Sequence, residues 1–222
     1  MRICFLSAEY SPFAKTGGLA DVAGALTKHL HAAGHDVRLF LPLYAQVDRA
    51  DFDIAPIAGL QDLPLEFGPH RLRFSVHAAP LPRSGARAWF IDIPGLFSRH
   101  ALYTADPDEH LRFIAFTRAA LETCQRWSWA PQILHCNDWH TGPAIALVHQ
   151  QERRPRTVFT IHNLAHMGIF DRQTFDRLGL PESFWQEQGL EYYGQCSFIK
   201  GGLVYADEIT TVSPTYAREI CQ

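Results

Sequence analysis

Lysine is the scarcest charged residue in this sequence. Only Lys15, Lys28 and Lys200 occur among the 20 basic residues, against 23 acidic ones, and the formal net charge is −3. Bulk charge therefore offers no basic face, which excludes nucleic acid as the expected partner. No apolar run approaches the roughly 20 residues of a membrane span, so no membrane partner is expected. Arg2 leads straight into an apolar run with no signal-peptide cleavage pattern. The five cysteines, Cys4, Cys124, Cys136, Cys196 and Cys221, form no C-x-x-C pair and are odd in number. That excludes a closed disulfide framework and points to buried free thiols in a reducing cytoplasm. Cys/His spacing suited to zinc is lacking, so no metal is expected. The G-x-G-x-x-G dinucleotide fingerprint, the Walker A loop and the G-x-S-x-G elbow are also missing, which disfavours a nicotinamide oxidoreductase, a P-loop NTPase and a serine hydrolase.

What is present is an alternation of short apolar runs and helical periodicity. Ile3–Leu6 reads as a buried strand. A Pro-broken loop follows, and Gly17-Gly18 opens a helix with Leu19, Val22, Leu26, Leu30 and Ala33 on one face, closed by Gly34. Val37–Leu41 is the next strand. These β–α–β elements predict an α/β fold: a Rossmann-like parallel sheet with helices on both faces. Residues 44 to 94 change character, with runs at Leu63–Phe67, Leu72–Val76 and Ala88–Ile93, and read as a β-hairpin insertion. Asp106-Pro107-Asp108-Glu109 reads as a helix start with Pro107 at the first helical position and acids in the first turn, and the helix carries Phe113, Phe116, Ala120, Cys124 and Trp127 down one side. Strands are expected at Ile133–Cys136, Arg156–Ile161 and Glu208–Val212. Helices are expected from Thr141 to about Gln151, over Ser197–Ala206, and from Thr215 behind Ser213-Pro214. Residues 164 to 194 lack a clean period and suggest short helices. The chain reads as one domain over 1–222, ending early in a helix, as if more followed.

Ligands bind open parallel sheets beyond the carboxyl ends of the strands. Three polar clusters fall there: Glu9 with the Lys15 loop, His135-Cys136-Asn137-Asp138-Trp139-His140, and Thr160-Ile161-His162-Asn163. Each alone also reads as structural, with Asp138 or Thr141 capping the next helix. Together they suit sugar recognition, with Asp138, Asn163 and Glu9 pairing with hydroxyls and Trp139 or Tyr103 stacking on a pyranose. Lys15 and the open amides at Gly17 and Gly18 suit a diphosphate at a helix N-terminus.

Four motifs, Lys15-Thr16-Gly17-Gly18-Leu19, His135 to His140, Thr160 to Asn163, and Lys200 to Asp207 followed by Thr210 to Pro214, resemble in kind and order the bacterial glycogen synthase and plant starch synthase family. The resemblance implies the N-terminal half of a retaining glucosyltransferase with two Rossmann domains. It implies ADP-glucose as donor, an α-1,4-glucan as acceptor, no cofactor, and a C-terminal nucleotide-binding domain of the same enzyme that is absent from these 222 residues. By the same resemblance His162 and Asp138 are catalytic, and Lys15, Gly17 and Gly18 hold the donor phosphates. Glu9, Asp21, Tyr103, Trp139, His140 and Asn163 line the sugar site. His166-Met167 departs from the Tyr-Gln usual in relatives. A glucan-binding module without catalysis and a UDP-glucose-dependent transferase remain the alternatives.

Overall fold

The computed structural model describes residues 1–82 and 84–222. Its elements in chain order are β1 (Arg2–Leu6), α1 (Gly18–Ala32), β2 (Asp36–Pro42), β3 (Ala55–Pro56), β4 (Leu63–Phe67), β5 (His70–Pro80), β6 (Arg87–Asp92), α2 (Glu109–Arg126), β7 (Ile133–Asn137), α3 (Gly142–His149) and β8 (Arg156–Ile161). Then come β9 (Ile169–Phe170), α4 (Arg172–Leu178), β10 (Glu191–Tyr192), β11 (Gln195–Ser197), α5 (Phe198–Tyr205), β12 (Glu208–Thr211) and α6 (Pro214–Glu219). The main sheet runs β12-β8-β7-β1-β2-β6-β5-β3, with β4 on β5. Every pairing from β12 to β6 is parallel.

Strand order decides where a ligand can go. From β1 the chain steps to β2 on one side, whereas β7 lies on the other side of β1 and steps outward to β8. Right-handed crossovers therefore put α1 and α3 on opposite faces, and a crevice opens between the carboxyl ends of β1 and β7. The α/β expectation, with helices on both faces, is met.

Several local expectations shift. The face that α1 buries is Leu19, Ala20, Ala23, Gly24 and Thr27, while Ala33 is exposed and Val22, Leu26 and Leu30 are half-buried. Small residues go inward because the helix lies close on the fully buried Tyr10, whose hydroxyl reaches the Gly24 carbonyl at 3.4 Å. α2 begins at Glu109, two residues past Pro107. Asp106 and Asp108 do not cap it, because Arg99 takes both carboxylates at 2.8 and 2.6 Å. The hairpin at 63–80 is not an appendage: β5 pairs antiparallel with β6 and extends the main sheet. Residues 164 to 194 contain α4, but also a small antiparallel sheet, β10-β11-β9, too short to leave an alternating pattern. Four cysteines are buried and free, and Cys221 is exposed.

Candidate functional site

The crevice between β1 and β7 is a cavity of about 570 Å³ lined by Glu9, Thr16 to Leu19, Val22, Tyr103, Asp138 to His140, His162, Asn163, His166 and Val212. Each wall follows from local structure. After β1, a bridge between Tyr10 and Ala14, with both N–H···O bonds at 2.9 Å, folds the Pro12 loop back on itself. Thr16 and Gly17 are thereby laid over Glu9. Its buried carboxylate accepts the backbone N–H of Thr16 at 2.6 Å and of Gly17 at 3.1 Å, the Thr16 hydroxyl at 2.6 Å and the Tyr103 hydroxyl at 2.8 Å. Glu9 is thus an internal anion seated at the positive end of α1. It shapes the site rather than offering a free carboxylate. The Gly17 N–H is committed to it, leaving the amides from Gly18 onward, which lack partners inside the helix.

The second wall begins where β7 ends. Asp138 has φ +56°, a left-handed conformation that turns its carboxylate across to the neighbouring strand. There it accepts the His162 N–H at 2.7 Å and the Asn163 N–H at 3.3 Å. It caps the loop after β8, not α3, and the Thr141 hydroxyl turns back to the Asn137 carbonyl at 2.8 Å. Asn137 joins all three strands: its amide NH₂ donates to the Leu6 carbonyl at 2.9 Å, and its Oδ1 faces His162 Nε2 at 2.9 Å. Since the Leu6 carbonyl can only accept, Asn137 Oδ1 is the acceptor toward His162, and Nε2 carries the proton. The lone pair of neutral His162 is then on Nδ1.

The aromatic residues mostly serve each other. His140 stacks between Tyr103, at 4.7 Å and 25°, and Trp139, at 4.0 Å and 29°, with Phe113 edge-on. Behind Trp139 lies Gly168, where a Cβ would overlap the indole. Trp139 therefore presents an edge to the cavity rather than a free face for a pyranose. Lys15 and Asp21 pair with each other at 2.8 Å, both about half exposed, beside the cavity and outside its lining. Asn163 lines the cavity and accepts the Ala165 N–H at 3.0 Å on its side-chain oxygen. Glu9, Gly17, Gly18, Tyr103, Asp138, Trp139, His140, His162 and Asn163 thus converge, and Lys15 and Asp21 do not touch the same cavity. Sequence reasoning missed Asn137 as the residue orienting His162, and it missed Thr16. It noted His166 only as a departure; His166 lines the cavity four residues after His162, on a loop. Among the described residues no group of three or more His, Cys, Asp or Glu could hold a metal ion.

Burial governs the protonation states. It pushes Asp138 up to about 6, against the pull of the two backbone N–H donors. Burial also lowers His162 and His135 to about 4, and His140 well below its ordinary value. Between about pH 6.5 and 4 the unfolded chain protonates these histidines and the native chain does not, so their contribution to stability is lost as pH falls. Asp138 acts in the opposite sense, because its native form takes up its proton first. Three histidines against one carboxylate give the sign: urea midpoints should fall steadily from pH 6.5 to 4. A midpoint that stays flat or rises over that interval contradicts neutral burial of the histidines.

A polar cavity at the switch point of a parallel sheet, beside a glycine-opened helix, is the ligand-binding arrangement of Rossmann-like α/β proteins. The family model for the starch synthase catalytic domain matches residues 2–222, and the chain belongs to that family. Among similar curated proteins are a glycogen synthase of Cellvibrio japonicus, 44% identical over 98% of this chain, and one of Paramagnetospirillum magneticum, 45% identical over 99%. The chain spans about half the length of these relatives, 46% of each. Among solved structures, the catalytic domain of starch synthase IV from Arabidopsis thaliana, bound to ADP and acarbose, superposes with a TM-score of 0.91 at 27% identity, covering 100% of this chain and 46% of that one.

Proposed function

We propose that the complete protein transfers glucose from ADP-glucose to the non-reducing end of an α-1,4-glucan with retention, and that residues 1–222 form its N-terminal domain. This domain supplies the acceptor side and part of the diphosphate site, and a C-terminal domain holds the nucleotide. The observation that carries the reading is the convergence of Asp138, His162 and the α1 N-terminus on one cavity. Charge is divided there in a way that suits glycosyl transfer. The positive end of α1, with Lys15 alongside, faces the departing diphosphate. The Asp138 carboxylate, in a site largely closed to water, favours positive charge developing at the reacting sugar carbon. His162, neutral and held by Asn137, adds no opposing charge and offers Nδ1 as an acceptor for a sugar hydroxyl. Asn163 and His166 complete the polar lining around the sugar. The ADP and acarbose bound by the Arabidopsis relative support a nucleotide and a sugar-like ligand for this fold, and the four buried free thiols support a cytoplasmic setting.

Radiolabel transfer from ADP-glucose to glycogen tests the reading. The complete protein should turn over and its His162→Ala variant should lose about a hundredfold or more, the scale of losing one oriented polar group at a reacting centre. Residues 1–222 alone should show no turnover above background, since half of the cleft is missing. Normal turnover by the 222-residue chain, or full activity with UDP-glucose and none with ADP-glucose, overturns the corresponding part.

A further inference from the structure

β10 and β11 are joined by a two-residue turn, Tyr193-Gly194, with φ of +50° and +79°. Positive φ at both central positions defines a type I′ hairpin, whose first place belongs by preference to Asn, Asp or Gly. A tyrosine there is strained, and its ring is not buried in exchange: Tyr193 is 88% exposed. An aromatic ring held in an unfavourable conformation and presented to water costs stability, so a role outside the core is the natural account.

The tip is rigidly mounted. Glu191 Oε1 accepts the Gly194 N–H at 2.6 Å, and the Lys200 ammonium donates to the Glu187 carbonyl at 2.6 Å and to that of Glu191. Tyr192 meets Tyr193 edge to face at 4.8 Å, setting the second ring's angle. The hairpin is also continuous with the cleft. β11 pairs with β9, which starts three residues after His166, and Phe198, next along from β11, packs on Trp139. The tip stands roughly 10 Å along β11 from Ser197.

We propose that Tyr193, steadied by Tyr192, is a sugar-stacking platform that holds an α-glucan outside the catalytic cleft. The proposal rests on the glucan-transfer reading above. Its occupant follows from the proposed reaction: only the non-reducing end of a polymeric acceptor has to enter the cavity between β1 and β7, so the remaining chain must lie on the outer surface. A flat, exposed ring suits the apolar face of a pyranose, and a second contact on the same polymer raises its effective concentration at the cleft.

Tyr193→Asn isolates the ring from the turn, because Asn-Gly is the favoured type I′ pair. The variant should melt no lower than the parent. In native gels containing glycogen, the 222-residue chain should be retarded and Tyr193→Asn should bind about threefold to tenfold more weakly, the scale of one aromatic contact, with Tyr193→Trp restoring retardation. In the complete protein the variant should raise KM for glycogen while leaving KM for a short malto-oligosaccharide and for ADP-glucose unchanged. Equal retardation of parent and Asn variant, or no retardation of the parent, overturns the platform. An equal rise in KM for short acceptors does so too, since it assigns Tyr193 to the cleft. Failure of the complete protein to transfer glucose at all is a separate outcome, and it overturns the glucan-transfer reading itself.

Discussion

Replacing Asp138 with Asn should leave the protein folded and cut glucosyl transfer by the complete protein about a hundredfold to a thousandfold. The substitution removes charge and little else. Asn is the residue other than Gly best suited to the φ of +56° at this position, and its carbonyl can still accept the His162 N–H that Asp138 now holds at 2.7 Å. One weaker bond, to the Asn163 N–H at 3.3 Å, is at risk, worth about 1 kcal/mol. Burial already opposes the charged carboxylate, having raised Asp138 to about 6, so deleting the charge returns part of that cost. Stability should therefore change by about 1 kcal/mol or less in either direction. On the proposed reading activity depends on the charge itself, because an oriented carboxylate in a dry site would act directly on the developing positive centre. The same logic sets the acid limb: transfer should fall with a midpoint near pH 6 as Asp138 takes up its proton. A thermal melt beside initial rates across pH 5 to 8 decides the matter. An Asn variant that keeps parental rates makes Asp138 a structural clasp, and one that melts far below the parent makes it a fold determinant.

The architecture was legible because parallel strands buried on both faces leave apolar runs, and each run here is closed by a glycine, a proline or a polar cluster. β1, β2, β7 and β8 all lie where their runs stand. The cavity lies at the strand ends, beside the polar clusters that follow β1, β7 and β8. What the sequence could not convey was which polar groups satisfy one another. Glu9 reads as a free acid until the Thr16 and Gly17 amides are seen on it. Lys15 reads as a lone cation until Asp21 is found against it. Trp139 reads as a stacking surface until His140 and Gly168 cover its faces. Asn137 was passed over because an amide that positions a histidine looks like any other in a string of letters. Apart from the adjacent Trp139 and His140, these are pairings across 6 residues or more, set by tertiary geometry, and neither periodicity nor propensity encodes them. The small sheet around Tyr193 escaped for a related reason: strands of two or three residues are too short to alternate visibly.

The two Gly-Gly pairs show how identical letters can serve opposite ends. At Gly17 and Gly18 a Cβ would meet nothing within 4 Å, so those positions are open toward the cavity. At Gly201 and Gly202 there is no room. A Cβ on Gly201 would lie 2.8 Å from the Gly142 carbonyl oxygen, one on Gly202 would overlap the Phe159 ring, and one on Gly142 would overlap the Phe198 carbonyl oxygen. α3 and α5 thus cross with their backbones in contact, which explains a glycine pair inside a helix. Gly142→Ala should consequently be strongly destabilising. Helix propensity favours alanine by at most about 1 kcal/mol, and less in the first turn of α3. The clash falls on main chain, which cannot rotate aside as a side chain would, so the overpacking penalty stands at the top of its range, about 3 kcal/mol. The penalty wins, and a chain of this size should melt about 6 to 12 °C lower. Because Phe198 packs on Trp139, separating α3 from α5 also loosens the wall behind His140, and proteolysis should open the 164–205 region first. Gly17→Ala, with open space around it, should melt close to the parent. Melting curves of the two alanine variants side by side test the distinction, and equal losses would mean that the close crossing of α3 and α5 is not what those glycines are for.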